Sequence, residues 1–188
     1  MTQLQTETGI VRVPAGTWKV DRDHSSVAFE VKHLMIATVR GHFSEFDGAL
    51  EAAEDDPSNS RAWGTVYVAS IDTGNPDRDA HLRSPDFFDS ERYPEMRFET
   101  TRIRHTEGGH YTVWCDLTLK DQTREVEVDA CVEGVAEDPW GNERVGISIR
   151  GAIDRTEFGL TWQQALASGG LLVGEEVRVL IDVSAVRA

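Results

Sequence analysis

The segment Glu125-Val126-Glu127-Val128-Asp129-Ala130 alternates charged and apolar residues without a break. A period of two residues is that of a β-strand, in which successive side chains point to opposite faces of the sheet. The segment therefore predicts a half-buried strand with one apolar face toward a core and one charged face toward water.

The same alternation recurs along the chain. It is found in residues 26–32, 96–99, 113–119, 145–150 and 177–183, and further strands are expected near 39–51 and 62–71. Together these segments predict eight long strands, and Trp18-Lys19-Val20 adds a short piece at one end. Most links between them are short, at about 35–38, 107–109 and 121–122, and strands joined by short links are antiparallel neighbours.

Eight alternating strands can form a two-layered sandwich or a closed barrel. Long strands joined in chain order favour an all-β, eight-stranded antiparallel up-and-down β-barrel, because closure removes both exposed sheet edges. Two longer connections, at about 72–94 and 156–174, leave room for one or two short helices. We expect a helix at 78–83 capped by Asp77, and helical turns at 87–90 and 162–167.

The link at 121–122 allows a check of the strand faces. A two-residue loop there would place Leu117 opposite Val126 and Cys115 opposite Val128, all on one apolar face. Cys131 then lies on the other face, opposite Thr112. Because the two thiols point to different sides of the sheet, geometry forbids a disulfide between them.

Composition restricts the classes of partner. The 188 residues are 39% hydrophobic and 28% charged, which is typical of one globular domain. We expect a flexible segment at 1–13 and a barrel domain at 14–188. The net charge of −14 disfavours nucleic acid and anionic membranes, which are bound through Lys and Arg. With no apolar stretch of about 20 residues and no signal-peptide pattern, we expect a cytoplasmic protein without stable membrane insertion.

The interior of the predicted barrel decides its function. An eight-stranded barrel is either filled by side chains or holds one small ligand. Many inward positions are small, such as Gly48, Ala130 and Gly151, which favours an apolar lumen over the alternative of a fully packed barrel. Since each buried methylene contributes about 0.8 kcal/mol, a prenyl or fatty chain can bind there with little polar help. The predicted lining is Phe29, Val31, Phe43, Phe46, Val68, Phe98, Val113, Cys115, Leu117, Val128, Ile147, Ile149, Val179 and Ile181.

A set of ordered motifs resembles the YceI-like family from about residue 16 to the C-terminus. The motifs are Trp18–Ser25, Phe29–Leu34, Val39–Phe43, Ser70–Asn75, Arg78–Ser84, Asp86–Asp89, Tyr93-Pro94, Phe98, Asp116–Thr118 and Arg155–Leu160. The chain departs from the family pattern at Asp121, where Gly is usual, at Glu157, where Asp is commoner, and in lacking the secretion signal of many members.

This resemblance implies an extended lipocalin-like barrel that carries or stores a polyisoprenoid or isoprenoid quinone-type lipid in its pore. It brings no established catalytic residues and no required metal or cofactor beyond that bound lipid. Members often dimerise, so a homodimer is possible. The missing secretion signal favours a cytoplasmic role over a periplasmic one.

Four polar residues are candidates for contact with the head group of a bound lipid: His33, Arg78, Asp79 and His81. Residues of the last three types also perform acid/base catalysis, so an enzyme acting on an apolar substrate at the barrel mouth is a second hypothesis. A structural role in the long connection is the plainest interpretation of Arg78 and Asp79. A ligand-free structural or stress protein is the third hypothesis.

Three histidines lie near one end of a predicted hairpin. Of these, His33 and His42 flank its turn and are expected to be cross-strand neighbours, with His24 nearby. Zinc is bound by such imidazoles, but no cysteine or carboxylate at ligand spacing completes the set. We therefore predict no metal site and assign the histidines to hydrogen bonds at the barrel rim.

Overall fold

The computed structural model describes residues 11–164, 166 and 170–188. Within that part of the chain, eleven strands form one antiparallel sheet. They are β1 (Gly16–Val20), β2 (Ser26–His33), β3 (Ala37–Phe43), β4 (Phe46–Ala52), β5 (Arg61–Tyr67), β6 (Ile71–Asp72), β7 (Glu95–His105), β8 (His110–Leu119), β9 (Gln122–Glu137), β10 (Glu143–Asp154) and β11 (Val173–Arg187). The helix α1 (Pro76–Arg83) and four short 3-10 turns connect them. No helix in the described residues is long and apolar enough to cross a membrane.

The eleven strands make an eight-stranded barrel because three pairs of them are halves of one interrupted strand. Both β1 and β2 pair with β11, and on their other side they pair with β4 and β3. Likewise β5 pairs with β4, and β6 pairs with β3. Each composite strand is hydrogen-bonded to the next one in the chain, and β1 closes the ring against β11. The predicted up-and-down barrel is confirmed, and the two-layered sandwich is excluded.

One interruption corrects the predicted strand at 62–71. Val68–Ser70 forms a 3-10 turn between β5 and β6, and Val68 is completely buried there rather than being part of the wall. The Ser70 hydroxyl donates to the Tyr67 carbonyl at 2.6 Å. Such local side-chain bonds compete with the strand ladder, and they account for the turn. Val68 is therefore removed from the predicted lining.

The helix in the 73–94 connection begins earlier than predicted. Asn75, rather than Asp77, is its cap, because the Asn75 side chain accepts a bond from the Arg78 amide at 3.0 Å and Pro76 takes the first helical position. Residues 87–90 form turns and no second helix. The helical turn predicted at 162–167 is wrong at 162–164, which are irregular, and residues 165 and 167 lie outside the described residues.

The hairpin between β8 and β9 has a register two residues away from the predicted one. Leu117 pairs with Arg124 and Cys115 pairs with Val126, because the turn is made by Lys120 and Asp121 with Lys120 at φ +56°. A shift by an even number preserves the faces of a strand. Both cysteines are free thiols, and Cys131 lies on the opposite face from Cys115, as predicted.

Two apolar clusters fill the ends of the barrel. The first, called the Trp18 plug, consists of Trp18, Tyr111, Val132, Val145 and Ala185. The second, called the Phe158 plug, consists of Phe87, Leu119, Phe158 and Leu160. Because β8 contributes to both clusters, with Tyr111 near its start and Leu119 at its end, the plugs lie at opposite ends of the barrel.

The segment before β1 seals the barrel under the Trp18 plug. Val11 and Val13 pack against the plug, and the Tyr111 hydroxyl donates to the Val11 carbonyl at 2.8 Å. The Trp18 indole N–H donates to the Pro14 carbonyl at 2.8 Å. The predicted flexible segment at 1–13 is thus ordered from Val11 onward, while residues 1–10 lie outside the described residues.

Ion pairs around Arg144 hold the same end together. The Arg144 guanidinium contacts Asp21 at 2.6 Å and Asp138 at 2.9 Å, and so joins the break between β1 and β2 to β10. Arg144, with His24, lowers the pKa of Asp21. Bonds from Asn142, with Arg144, lower the pKa of Asp138 well below its ordinary value of 3.8. Both carboxylates are therefore stabilised in their charged form by the folded structure.

Candidate functional site

The inward side of the barrel wall is partly exposed between the two plugs. Side chains are called inward-facing where the strand pairing places them on the same face of the sheet as the buried Cys115. This stretch of the wall comprises Val27, Phe29, Val31, Phe98, Val113, Val128, Ile147, Ile149, Gly151, Val179 and Ile181, none of which is fully buried. Of these, Val113 and Ile147 also pack against the Trp18 plug. Protein interiors are normally close-packed, so partial exposure along an inward face favours unfilled space in front of it. The space in front of these side chains is here called the lumen.

Thirteen of the fourteen predicted lining residues lie on this inward face, with Val68 as the exception. Phe43, Phe46 and Cys115 are buried, and the other ten are partly exposed. Phe43 is in tilted contact with Phe29, with ring centroids 5.7 Å apart, and meets Phe88 edge-on at 6.0 Å. The predicted face is thus the observed one, although contact of these residues with a ligand stays a prediction.

The bulky aromatic residues of the wall lie over glycines. Phe29 pairs with Gly41 and Phe98 pairs with Gly64 in adjacent strands. A methyl group at either glycine would overlap the ring of its partner. The rings therefore occupy the space above the missing side chains and lie against the wall. This pairing was not predicted, although the glycines are visible in the sequence.

The middle of the lumen is apolar and uncharged over the described residues. The Thr100 hydroxyl, one of its few polar groups, accepts a bond from the Ala62 amide at 2.9 Å. Burial raises the pKa of the Cys115 thiol to about 11, so the thiol is neutral at ordinary pH. An occupant of this space would meet almost only hydrocarbon and neutral groups.

The predicted head-group residues do not form one cluster. His33 lies on the inward face at the end of β2, paired with Val173 of β11 and Ala37 of β3. Arg78 and Asp79 both bind Thr73: Asp79 accepts from the Thr73 amide at 2.9 Å, and Arg78 donates to the Thr73 hydroxyl at 2.7 Å. These contacts fasten α1 to the end of β6, which is the structural role considered above.

His81 is held in an aromatic contact next to the Phe158 plug. Its Nε2 atom lies 2.9 Å from an Asp86 carboxylate oxygen. Its ring meets Phe87 and Trp162 edge-on, at centroid distances of 5.1 and 4.9 Å. Among the four candidates, only His33 is therefore placed on the inward face by the strand pairing.

The three histidines of the predicted rim are separate. His42 pairs with Ala28 on the outer face, so the expectation that it neighbours His33 is wrong: the tight turn puts Ala37 opposite His33. His24 lies 2.8 Å from Asp21. Among the residues with described positions, no three His, Cys, Asp or Glu side chains could together hold a metal ion.

Arg155 organises the connection that follows β10. Its side chain is buried and donates to the carbonyls of Gly174 at 2.8 Å and Trp162 at 3.1 Å, and also to Leu160 and Val173. Burial lowers the pKa of this guanidinium, but the four carbonyls accept bonds from all three of its nitrogen atoms. In the sequence, Arg155 stands out only as part of a family motif. Its bonds join Leu160 and Trp162 to the start of β11.

The β2–β3 turn, named here the apolar tip (Leu34–Ile36), is another feature the sequence analysis missed. Leu34 and Met35 have φ of +52° and +59°, and the Ile36 amide donates to the His33 carbonyl at 3.2 Å. Positive φ at the central residues of a hairpin turn is normally adopted by Asn and Gly. For bulky residues the left-handed conformation costs roughly 1–2 kcal/mol each. Their exposed fractions are 37% for Leu34, 58% for Met35 and 83% for Ile36.

Comparison with known proteins gives consistent matches. The YceI-like domain family matches residues 18–185. A UPF0312 protein of Staphylococcus epidermidis is 38% identical over 159 residues, which are 84% of this chain and 90% of that protein. The solved YCEI protein of Campylobacter jejuni is 28% identical with a TM-score of 0.70, over 90% of this chain and 96% of that one. A polyisoprenoid binding domain from Saccharophagus degradans shares the fold, with a TM-score of 0.70 at 15% identity over 91% and 98% of the two chains.

Proposed function

The chain belongs to the YceI-like domain family, and from this premise we propose that its barrel binds one long apolar molecule, an isoprenoid lipid, in the lumen between the two plugs. The observation that carries the proposal is the partial exposure of inward-facing apolar residues such as Ile149 and Ile181. An apolar wall facing water is unfavourable, and covering it with hydrocarbon contributes about 25 cal/mol for each Å² removed from water.

The shape of the space supports a chain-like ligand. β9 has 16 residues and β11 has 15, so each of these strands is roughly 50 Å long at about 3.3 Å per residue, measured along the strand. Plugs close its two ends, and the uncharged middle offers few hydrogen bonds to an occupant. A linear hydrocarbon fits such a lumen better than a compact polar metabolite. The Saccharophagus domain of the same fold is described as polyisoprenoid-binding, which supports the choice of an isoprenoid.

The competing enzyme hypothesis needs Arg78, Asp79 and His81 to face the apolar substrate. Arg78 and Asp79 are instead bonded to Thr73, and His81 lies beside Asp86 and two aromatic rings. Each of these contacts has an evident structural role. We therefore propose a carrier or store rather than a catalyst. A homodimer and a cytoplasmic location stay predictions.

Organic extraction of the protein, purified without added lipid and followed by mass spectrometry, tests the proposal. We expect about one isoprenoid per chain from the unaltered protein. Ile149→Trp places an indole in the lumen and should remove the lipid. Leu180→Trp is the matched control. Leu180 lies on β11, next to the strand of Ile149, and its side chain is on the outer face, where it pairs with Arg150 and Ala28.

The outcome is decided by the comparison of these three proteins. Lipid in the unaltered protein and in Leu180→Trp, with none in a folded Ile149→Trp, supports binding in the lumen. Recovery of no apolar molecule from the unaltered protein, or equal recovery from both tryptophan variants, would show that the lumen is not the binding site. Circular dichroism establishes that each variant retains the barrel.

A further inference from the structure

We propose that the apolar tip (Leu34–Ile36) docks reversibly on the surface of a phospholipid bilayer and that the lumen exchanges its ligand there; the second part rests on the proposed function. Met35 and Ile36 are 58% and 83% exposed, and they adjoin the 37% exposed Leu34. Scattered exposed apolar residues are common, but three in succession at the end of a hairpin form a patch.

The hairpin holds the apolar tip in a projecting position. Seven residue pairs join β2 to β3 and end at His33 and Ala37, directly behind the turn. The Leu34 amide donates to the Leu172 carbonyl at 2.9 Å, which fixes one side of the turn to the segment before β11. Two successive bulky residues with positive φ keep a strained conformation that glycine would relieve. Strain of this kind is retained mainly at functional positions.

Charge favours a phospholipid surface as the partner. Residues 31–44 contain no carboxylate, although the chain as a whole has 33 acidic residues. Behind the tip, the stretch carries Lys32, whose ammonium group is suited to lipid phosphates. Two carboxylates of the adjoining strands are partly neutralised: Glu30 contacts Arg40 at 2.7 Å, and Glu176 lies 3.6 Å from Arg178. Glu175 is exposed on β11, behind the turn.

The tip also lies next to the lumen. His33, the residue before the turn, is on the inward face and is followed down β2 by Val31 and Phe29, which are partly exposed to the lumen. The described members of the Phe158 plug come from β8 and from the connections that follow β6 and β10, and none comes from β2 or β3. The inward face of β2 thus begins directly behind the tip.

Flotation with phosphatidylcholine vesicles tests the docking step without reference to any bound ligand. The unaltered protein should float with the vesicles, and the double variant Met35→Ser with Ile36→Ser should bind about tenfold more weakly. Trp140→Ser is the matched control, because Trp140 is 81% exposed in the turn between β9 and β10, at the opposite end of the barrel. It should bind as the unaltered protein does.

Three results would overturn the docking proposal. They are no flotation of the unaltered protein, equal flotation of the tip variant, and a homodimer in analytical ultracentrifugation that the tip variant dissociates. The last would show that a second copy covers the tip. Transfer of a fluorescent prenol from donor vesicles should slow about tenfold in the tip variant, in parallel with its vesicle binding. Transfer at an unchanged rate would overturn the exchange step.

The two proposals fail in different ways. If extraction finds no lipid while the vesicles still bind the unaltered protein through its tip, the lumen proposal fails and the docking proposal stands. If lipid is extracted but the tip does not affect vesicle binding, docking fails and the lumen proposal stands. Ile149→Trp should float like the unaltered protein, because its substitution lies inside the barrel.

Discussion

Val145 and Val179 face the same interior from neighbouring strands, and yet their surroundings differ. Val145 lies in the Trp18 plug and is 1% exposed, packed among residues that include Trp18 and Tyr111. Val179 lies in the wall between the plugs, opposite Gly151 and Phe29, and remains partly exposed. The residue type is identical, so the difference comes from whether something lies across the barrel from it.

The plugs and the wall between them therefore have different roles in the barrel. The plugs supply packing, because aromatic rings reach across the axis there and bury their neighbours. The wall supplies space, because its two largest rings, Phe29 and Phe98, lie over glycines instead of crossing the axis. Stability should therefore depend mainly on the plugs, and ligand capacity on the wall.

The largest effect should come from the centre of a plug. Trp18→Ala removes a completely buried ring whose indole N–H bonds to Pro14, and we expect a loss of about 3–5 kcal/mol in the free energy of unfolding. Urea unfolding followed by circular dichroism measures it. A loss below about 1 kcal/mol would mean that the plug does not carry the stability of the barrel.

A matched pair of valines makes the comparison directly. Val145→Ala should lower the unfolding free energy by about 2 kcal/mol, because it leaves a cavity in a packed cluster. Val179→Ala removes the same two methyl groups from a partly exposed position and should lower it by about 0.5–1 kcal/mol in delipidated protein. Equal losses in the two variants would indicate that the wall is packed like the plug.

The pH dependence of stability should arise mainly at the end of the barrel that holds the Trp18 plug. Because folding lowers the pKa values of Asp21 and Asp138, their contribution is complete above the ordinary value of 3.8 and is lost as the pH falls below it. Asp138→Asn should therefore flatten the decrease of the urea midpoint between about pH 5 and 2. An unchanged slope would show that the Arg144 contacts do not contribute to acid stability.

The smallest effect concerns the two thiols. With a pKa of about 11, roughly one Cys115 thiol in a thousand is ionised at pH 8, and the group also faces the lumen. Cys131 lies on the outer face and is more exposed. Maleimide should modify Cys131 first, and delipidation should accelerate only Cys115. Mass spectrometry of the Cys131→Ser and Cys115→Ser proteins measures the two modification rates separately. If the rate at Cys115 were the same with and without lipid, its place in the lumen would be contradicted.

Sequence periodicity was sufficient to predict the barrel, because the two faces of each strand have different environments. In β8 and β9 it assigned Cys115 and Val128 to the inward face, although Lys120 moved the turn and the register changed by two residues. The interruption at Val68–Ser70 could not be predicted in the same way. It depends on local serine bonds, which leave no mark on the alternation of apolar and polar residues.

The hollow interior was harder to predict than the fold. Periodicity indicates that Ile149 and Ile181 face inward, but it does not say what lies across from them. The observations that favour a hollow interior are their partial exposure and the placing of Phe29 over Gly41, and both depend on the closed three-dimensional ring. Arg78 and Asp79 were proposed as head-group contacts from their types alone, and Thr73 accounts for both.

The contents of the lumen can be observed most directly by X-ray crystallography of the protein purified without added lipid. Our account predicts continuous elongated density along the barrel axis, in contact with Phe29, Ile149 and Ile181. It would be contradicted by a structure in which these side chains meet across the axis and leave no space between them.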